Sequence, residues 1–244
     1  MIRRLFTEIA DIYDRMNHML SMGFDRRWRR LAVVCAKAAP ARILDLACGT
    51  RDLTFELARR FPDAEIVGVD LTPAMLDIAR RKNGSTRISF VEGDALDLSS
   101  VPMGASTDMR GGDSGFGPFS LCTCAFGFRN FPDRRKALKE VGKILSPDGE
   151  LLVLEFFRPG NALLGFFTSA WLRILSALFA GRHASAYRYL RESMKGMTTA
   201  GEFVSMAEEE GFSLSSRRFF LPCCTCLHFR KPDSKIGCSP VIGT

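Results

Sequence analysis

The feature that most constrains this chain is a rhythm of short apolar runs. They fall at 42–48, 65–70, 88–92, 119–124 and 150–156, and helical patterns separate most of them. Strands that are apolar throughout are buried on both faces, which requires a parallel sheet covered by helices on each side. The intervening signals agree. Residues 53–61 carry helical spacing that Pro62 closes. Thr72 reads as an N-cap with Pro73 at the first helical position, and that helix runs to about Lys82. A further helix is predicted over 134–145. Runs at 214–220 and 224–230, with Pro222 between them, read as an antiparallel pair at the edge of the sheet.

The flanks differ in texture. Residues 1–39 predict two helices with a break at 17–23. Residues 99–118 are rich in Gly, Ser and Asp and read as a mobile surface loop. Residues 161–181 are the most apolar stretch, and their length approaches a membrane span, yet Arg173 sits at the centre, where lipid disfavours it. A buried helix, a lid over an apolar substrate and a helix touching a membrane remain as readings. Residues 185–210 predict two more helices, and the segment from 232 is predicted to be disordered. The expected organisation is one domain over 1–231, with a helical cap (1–39), the flexible loop (99–118) and a helical insertion or lid (158–198).

A net charge of +7 speaks to partners rather than fold. Arg26, Arg27, Arg29 and Arg30 flank Trp28 and read either as a solvated helix face or as a site for lipid headgroups. The 8 cysteines follow no signal-peptide pattern, which predicts free thiols in a reducing cytoplasm. Cys122-x-Cys124 and Cys223-Cys224-x-Cys226 lack the two-residue gap usual for zinc, and strand alternation is expected to put neighbouring thiols on opposite faces. No metal is predicted.

Three loop signals carry chemistry. Leu44-Asp45-Leu46-Ala47-Cys48-Gly49-Thr50 ends the first strand, where open α/β sheets bind ligands and small residues let the backbone approach closely. Asp70 ends the second strand, at the place where an acid accepts hydrogen bonds from a ribose diol. Gly93-Asp94-Ala95 follows the third, where a carboxylate can accept from an adenine amino group while Met75 or Leu96 packs on the ring. Singly, Asp70 reads as a strand end or cap and Asp94 as a turn residue. Jointly they point to a nucleoside site. A full G-x-G-x-x-G fingerprint is absent, which argues against NAD.

Four segments extend the reading: Tyr13-Asp14-Arg15-Met16-Asn17 with Leu20-Ser21 and Trp28; Phe126-Gly127-Phe128-Arg129-Asn130; Ile144-Leu145-Ser146-Pro147-Asp148-Gly149-Glu150 with Leu154-Glu155; and Tyr187-Arg188-Tyr189-Leu190-Arg191-Glu192-Ser193. On these the chain resembles the ubiquinone/menaquinone biosynthesis C-methyltransferase family over roughly 5–230, within the class I methyltransferases that use S-adenosyl-L-methionine (SAM). The resemblance implies a Rossmann-like, mostly parallel seven-stranded sheet with helices on both faces and an added helical lid. It implies SAM as cofactor, held by Asp45, Gly49, Thr50, Asp70, Leu71, Met75, Asp94, Ala95 and Ala125. It implies methylation of a ring carbon of a prenylated benzoquinol or naphthoquinol. Tyr13, Arg129 and Asn130 are the implied catalytic residues, with a water among them as first proton acceptor. Arg129 reads alternatively as a structural partner of Asp133 or Glu155, and Tyr13 as a packing residue.

The chain departs from the family pattern in places. Arg51 stands where the glycine turn usually has Gly, Asp25 where the first signature has His, and Ser120 where strand four starts with Asp. Ser146, Asp148 and Phe157 are further departures. If position 51 needs a positive φ, a non-glycine residue there costs about 1–2 kcal/mol. The Arg51 side chain is expected either in solvent or against the SAM carboxylate. His18, His183 and His228 show no partner spacing. Other readings are methylation of another phenol or lipid, and a non-catalytic scaffold in a quinone-biosynthesis assembly. The motif Asn/Asp-Pro-Pro-Tyr/Phe of base methylases is missing after strand four, so no nucleic-acid partner is expected. A peripheral contact with the inner face of a membrane and a homodimer are the remaining partner expectations, and the expected location is cytoplasmic.

Overall fold

The computed structural model describes residues 2–36, 39–101, 118–160, 196–220 and 224–232, together with Gly165, Ala170, Tyr189, Glu192 and Ser193. Its centre is a seven-stranded sheet in the order β3-β2-β1-β4-β5-β7-β6. β1 (Arg42–Leu46), β2 (Glu65–Asp70), β3 (Ile88–Glu92), β4 (Phe119–Ala125) and β5 (Leu145–Glu155) pair in parallel. β7 (Cys224–Arg230) runs antiparallel between β5 and the edge strand β6 (Ser213–Phe220). The predicted edge pair is therefore real, with its second member on the inside. Burial explains the order: β7 is buried along nearly all its length, whereas β6 is mostly exposed.

Helices cover both faces. On one side α6 (Arg134–Ile144) and α7 (Ala200–Glu209) bring Leu138, Val141 and Phe203 onto Phe229, Leu151 and Val153. Thr199 and Glu202 cap α7 reciprocally. On the other side α3 (Phe24–Val33), α4 (Asp52–Arg60) and α5 (Pro73–Arg81) bury Trp28, Leu57 and Leu76 against Ile43, Ile66 and Leu152. Each fully buried Leu or Ile of this kind contributes roughly 1.5–3 kcal/mol of transfer free energy.

Several sequence expectations need correction. The N-terminus holds α1 (Ile2–Ile9), a 3-10 turn (Ala10–Ile12), α2 (Tyr13–Leu20) and α3, rather than two helices. The break comes only at 21–23, where Met22 and Gly23 take φ of 51° and 77°, so Asn17 stays helical. Thr72 stands at the α5 N-cap but makes no side-chain capping bond. β5 begins at Leu145, five residues early, because its register with β4 slips across Ser146–Gly149 and Asp148 takes φ 58°. The paired thiols do not face apart: Cys122 and Cys124 share one core face, and Cys224 and Cys226 the other. A strand repeats every second residue, so i and i+2 point the same way. The arginine cluster is not one solvated face either, since Arg29 is buried.

Residues 102–117, most of the apolar stretch 161–181, most of 185–198 and the tail 233–244 lie outside the described residues. Among the described residues no helix is long and apolar enough to cross a membrane.

Candidate active site

The strand order reverses between β1 and β4. At such a switch point the loops after the two strands diverge and leave a crevice at the carboxyl ends. Here that crevice is a cavity of about 370 Å³. Its walls include Gly49, Asp70, Leu71, Met75, Asp94, Ala95 and Ala125, together with Tyr13 and Asn130.

The loop after β1 is shaped by three residues of positive φ in alternation: Ala47 (54°), Gly49 (54°) and Arg51 (80°). This turns the Gly49 N–H onto Asp70 Oδ2 at 2.9 Å, while Asp70 Oδ1 accepts from the Thr72 N–H at 2.9 Å. Two backbone donors fix the carboxylate, and each oxygen keeps a second lone pair for a ligand. Burial raises the Asp70 pKa, opposed by the Thr72 and Gly49 N–H groups. At Gly93 an added Cβ would come within 2.4 Å of Val101 Cγ2, so glycine is required for the loop after β3 to lie flat on the core. Asp94 then turns its Oδ1 to the Leu96 N–H at 2.9 Å and stays exposed at the rim. Met75 is a buried wall residue, and Leu71 and Leu96 give the same region an apolar lining.

Much of the same cavity is lined by aromatic rings, and Tyr13 lies against the Gly49 turn. These rings are Tyr13, Phe6, Phe126 and Phe131, with Phe6 edge-on to Tyr13 at 5.9 Å and to Tyr189 at 6.0 Å. Burial raises the Tyr13 pKa, against the opposing pull of Arg129 and of a hydrogen bond with Asn17, so the phenol is neutral at physiological pH. Asn130 Oδ1 accepts from the Tyr189 hydroxyl at 2.9 Å, and its Nδ2 donates to the Phe126 carbonyl at 3.2 Å.

Arg129 is not a wall residue. It sits behind Phe126, where its Nη1 donates to Glu155 Oε1 at 2.8 Å and its backbone N–H to Oε2 at 3.2 Å. Of the two partners the sequence offered, Glu155 is the one used. Burial alone would lower the Arg129 pKa; the Glu155 carboxylate outweighs it and the net shift is upward. Its Nε is buried with no hydrogen-bond partner among the described residues.

Comparison with known proteins decides the family. The chain matches the ubiE/COQ5 methyltransferase family over residues 1–231. It is 43% identical over 217 residues to a demethylmenaquinone methyltransferase of Thermus thermophilus, covering 86% of this chain and 92% of that one. It is 39% identical over 215 residues to the ubiquinone/menaquinone biosynthesis C-methyltransferase UbiE of Syntrophotalea carbinolica, covering 86% and 85%. The chain belongs to the ubiE/COQ5 methyltransferase family. Its fold also resembles human N-acetylserotonin methyltransferase in complex with SAM, with a TM-score of 0.58 at 16% identity over 91% of this chain and 58% of that one. This chain is thus a SAM-dependent methyltransferase with the Rossmann-like class I fold.

The cavity of this ubiE/COQ5 member fits that cofactor. Asp70 offers a half-buried, pre-aligned acceptor for a diol, the Leu71–Met75–Leu96 walls suit a purine face, and Asp94 stands within the same lining. Two of the sequence-derived binding residues, Asp45 and Thr50, line a small recess that shares Tyr13, Ala47, Gly49 and Ala125 with the cavity. Asp45 lies a layer below, 1% exposed, accepting from Thr54 at 2.6 Å and Thr123 at 2.9 Å; burial pushes its pKa up to about 6 against those two bonds. Thr50 borders the adjoining small recess, and its hydroxyl donates to Asp14. Lys82 also reaches Asp14, so helix α2 is tied to the β1 loop and to the end of α5. Arg51 lies over the Phe55 ring at 5.3 Å, away from the cavity walls.

The sequence missed other features. Arg3 and Glu92 pair at 2.7 Å, joining α1 to the end of β3 beside the cavity, and Arg3 and Phe131 are wall residues. No local pattern marks a contact 89 positions apart. His18, to which no partner was given, holds Asp25 Oδ1 at 2.8 Å. Asp25 also accepts from Ser21 at 2.8 Å and Arg29 at 2.6 Å. Burial opposes ionisation of Asp25, but Arg29 and the bonds from His18 and Ser21 prevail, and its pKa is lowered. The Asp25–Arg29 spacing of four on a helix was the available signal.

Proposed function

We propose that this enzyme C-methylates a prenylated quinol, of the demethylmenaquinol or polyprenyl-methoxybenzoquinol type. The observation that carries this reading is one cavity that combines carboxylates suited to a nucleoside, Asp70 and Asp94, with aromatic walls and a half-buried, neutral Tyr13 that shares the lining with Asn130. An aromatic pocket with few polar groups suits a hydroxylated ring better than a charged acceptor. The names of the relatives point to the same substrates.

When bound, SAM supplies an activated methyl group on a sulfonium. The protein's part is to place the acceptor and manage one proton. Asp70, held by two backbone donors, fixes the cofactor in the cavity. Phe6, Phe126 and Phe131 restrain the ring plane, so that positioning supplies much of the acceleration. A ring carbon becomes nucleophilic as the adjacent hydroxyl loses its proton. Tyr13, kept neutral by burial, donates to the developing phenolate. A water held by Tyr13 and Asn130 takes the proton. Arg129 acts from behind Phe126 as a positioning residue: it fixes the turn that carries Asn130 and adds positive potential near the phenolate. The enzyme works on the cytoplasmic side at the membrane surface.

The test is turnover of a tail-less demethylquinol with SAM. Wild type should turn over, and Tyr13→Phe should lose about 10²-fold in kcat with SAM affinity unchanged. A wild-type protein that binds SAM but methylates no quinol would sink the reading.

A further inference from the structure

Helix α3 has two different faces. Inward it buries Trp28, Arg29, Ala32 and Val33. Outward, Phe24, Arg27, Leu31 and Val34 follow the 3–4 spacing of one helical stripe, and all four are exposed. The same stripe thus carries three large apolar side chains and a cation. The turn before it adds Met22, which is 57% exposed and held at φ 51°, a conformation that costs a non-glycine residue free energy and here keeps a thioether outside the core. On the neighbouring α4, Phe55 is 47% exposed and carries Arg51 over its ring.

The charge on this surface is predominantly basic. Arg26, Arg27 and Arg30 are exposed, and the acids nearby are consumed: Asp25 is buried under Arg29, and Glu56 is mostly covered and faces Arg30 at 3.6 Å. Scattered exposed apolar residues need no explanation, but five on adjoining elements among three exposed guanidiniums, of which Arg30 faces Glu56 and Arg26 donates to His18, do. Apolar side chains at the level of basic ones match the lipid–water boundary, where the former enter the acyl region and the latter meet phosphate.

We propose that the outer face of α3, with the Met22 turn and Phe55, docks the protein on an anionic phospholipid bilayer. The proposal rests on the prenylated-quinol reading and names the face that reading needs. Its position fits. On the inner side of α3 the Trp28 ring meets Phe126, a cavity wall, with centroids 6.5 Å apart. One helix, roughly 10 Å thick, therefore separates the bilayer from an aromatic wall of the cavity, a short path for a tailed substrate.

The test is sedimentation of the full chain with vesicles of phosphatidylcholine alone and with phosphatidylglycerol added, at low and high salt. Wild type should bind the anionic vesicles, less so as salt rises. The double variant Arg27→Glu/Val34→Ser, whose sites lie outside the cavity, should lose roughly tenfold in partitioning while keeping its melting midpoint and its turnover of a tail-less quinol. Equal binding to neutral vesicles, no binding by wild type, or unchanged binding by the variant overturns the proposal. So does a wild-type dimer in analytical ultracentrifugation that the variant abolishes, since the face would then meet a second copy. Failure of quinol turnover with vesicle binding intact would instead count against the substrate reading.

Discussion

Arg129 and Glu155 form a buried ion pair in which one carboxylate receives both the guanidinium, at 2.8 Å, and the backbone N–H of the same residue, at 3.2 Å. This couples the end of β5 to the 3-10 turn Phe128–Asn130 that presents Asn130 to the cavity. Removing one partner leaves the other as an uncompensated buried charge. Glu155→Ala should therefore cost about 3–5 kcal/mol in stability, read by denaturant unfolding. Glu155→Gln, which keeps the shape, should fold and lower kcat more than it changes SAM affinity. Equal stability of Glu155→Ala and wild type would show that the pair has no structural role.

Arg51 occupies φ 80°, in the region that favours glycine. Arg51→Gly removes that strain and loses only a contact with an exposed ring. It should stabilise the protein by about 1 kcal/mol, a rise of roughly 2–4 °C in melting midpoint. SAM affinity by calorimetry should stay within about threefold of wild type, because the side chain is not a cavity wall. A large loss of affinity would mean that Arg51 swings in to meet the cofactor.

Asp70 is the keystone of the cofactor site, since it orders the Gly49 turn as well as facing the cavity. Asp70→Ala leaves the Gly49 and Thr72 N–H groups without their acceptor and removes the group proposed for the diol. SAM binding should weaken by about 100-fold, near 3 kcal/mol. Saturable binding of wild-type strength in this variant would place the nucleoside elsewhere.

Asp45 supplies a pH signature. Its folded pKa is raised to about 6 from an ordinary 3.8, so the native state holds a proton that the unfolded chain releases. The associated stability is fully present below about pH 4 and is lost as pH rises through 6, amounting to roughly 2–3 kcal/mol. Asp45→Asn, which stays uncharged, should gain on wild type across pH 4–7 in unfolding experiments. A difference independent of pH would show that Asp45 ionises normally.

The sequence alone determined the parallel sheet, the three loops that line the cavity and the family. Each of these is a local signal: an apolar run, a small-residue turn at its end, an acid at the next strand end, or a motif of several consecutive residues. Local steric and burial preferences act within a few positions, so they are written where they operate. The carboxyl-end placement of Gly49, Asp70 and Asp94 follows from that, because all parallel strands end on one side. Tertiary structure decided the rest. Whether Arg129 faces the cavity or Glu155, 26 positions on, depends on the register of β4 against β5, including a slip at Ser146–Gly149. That β7 enters the sheet inside β6 depends on which strand buries more apolar surface. The motif marks Asp45 as part of the ligand loop, but only the fold shows that its carboxylate accepts from Thr54 and Thr123. Contacts such as Arg3–Glu92 and Asp14–Lys82 join segments with no common local pattern. They exist only because packing against the sheet brings α1, α2 and α5 around the mouth of a single cavity.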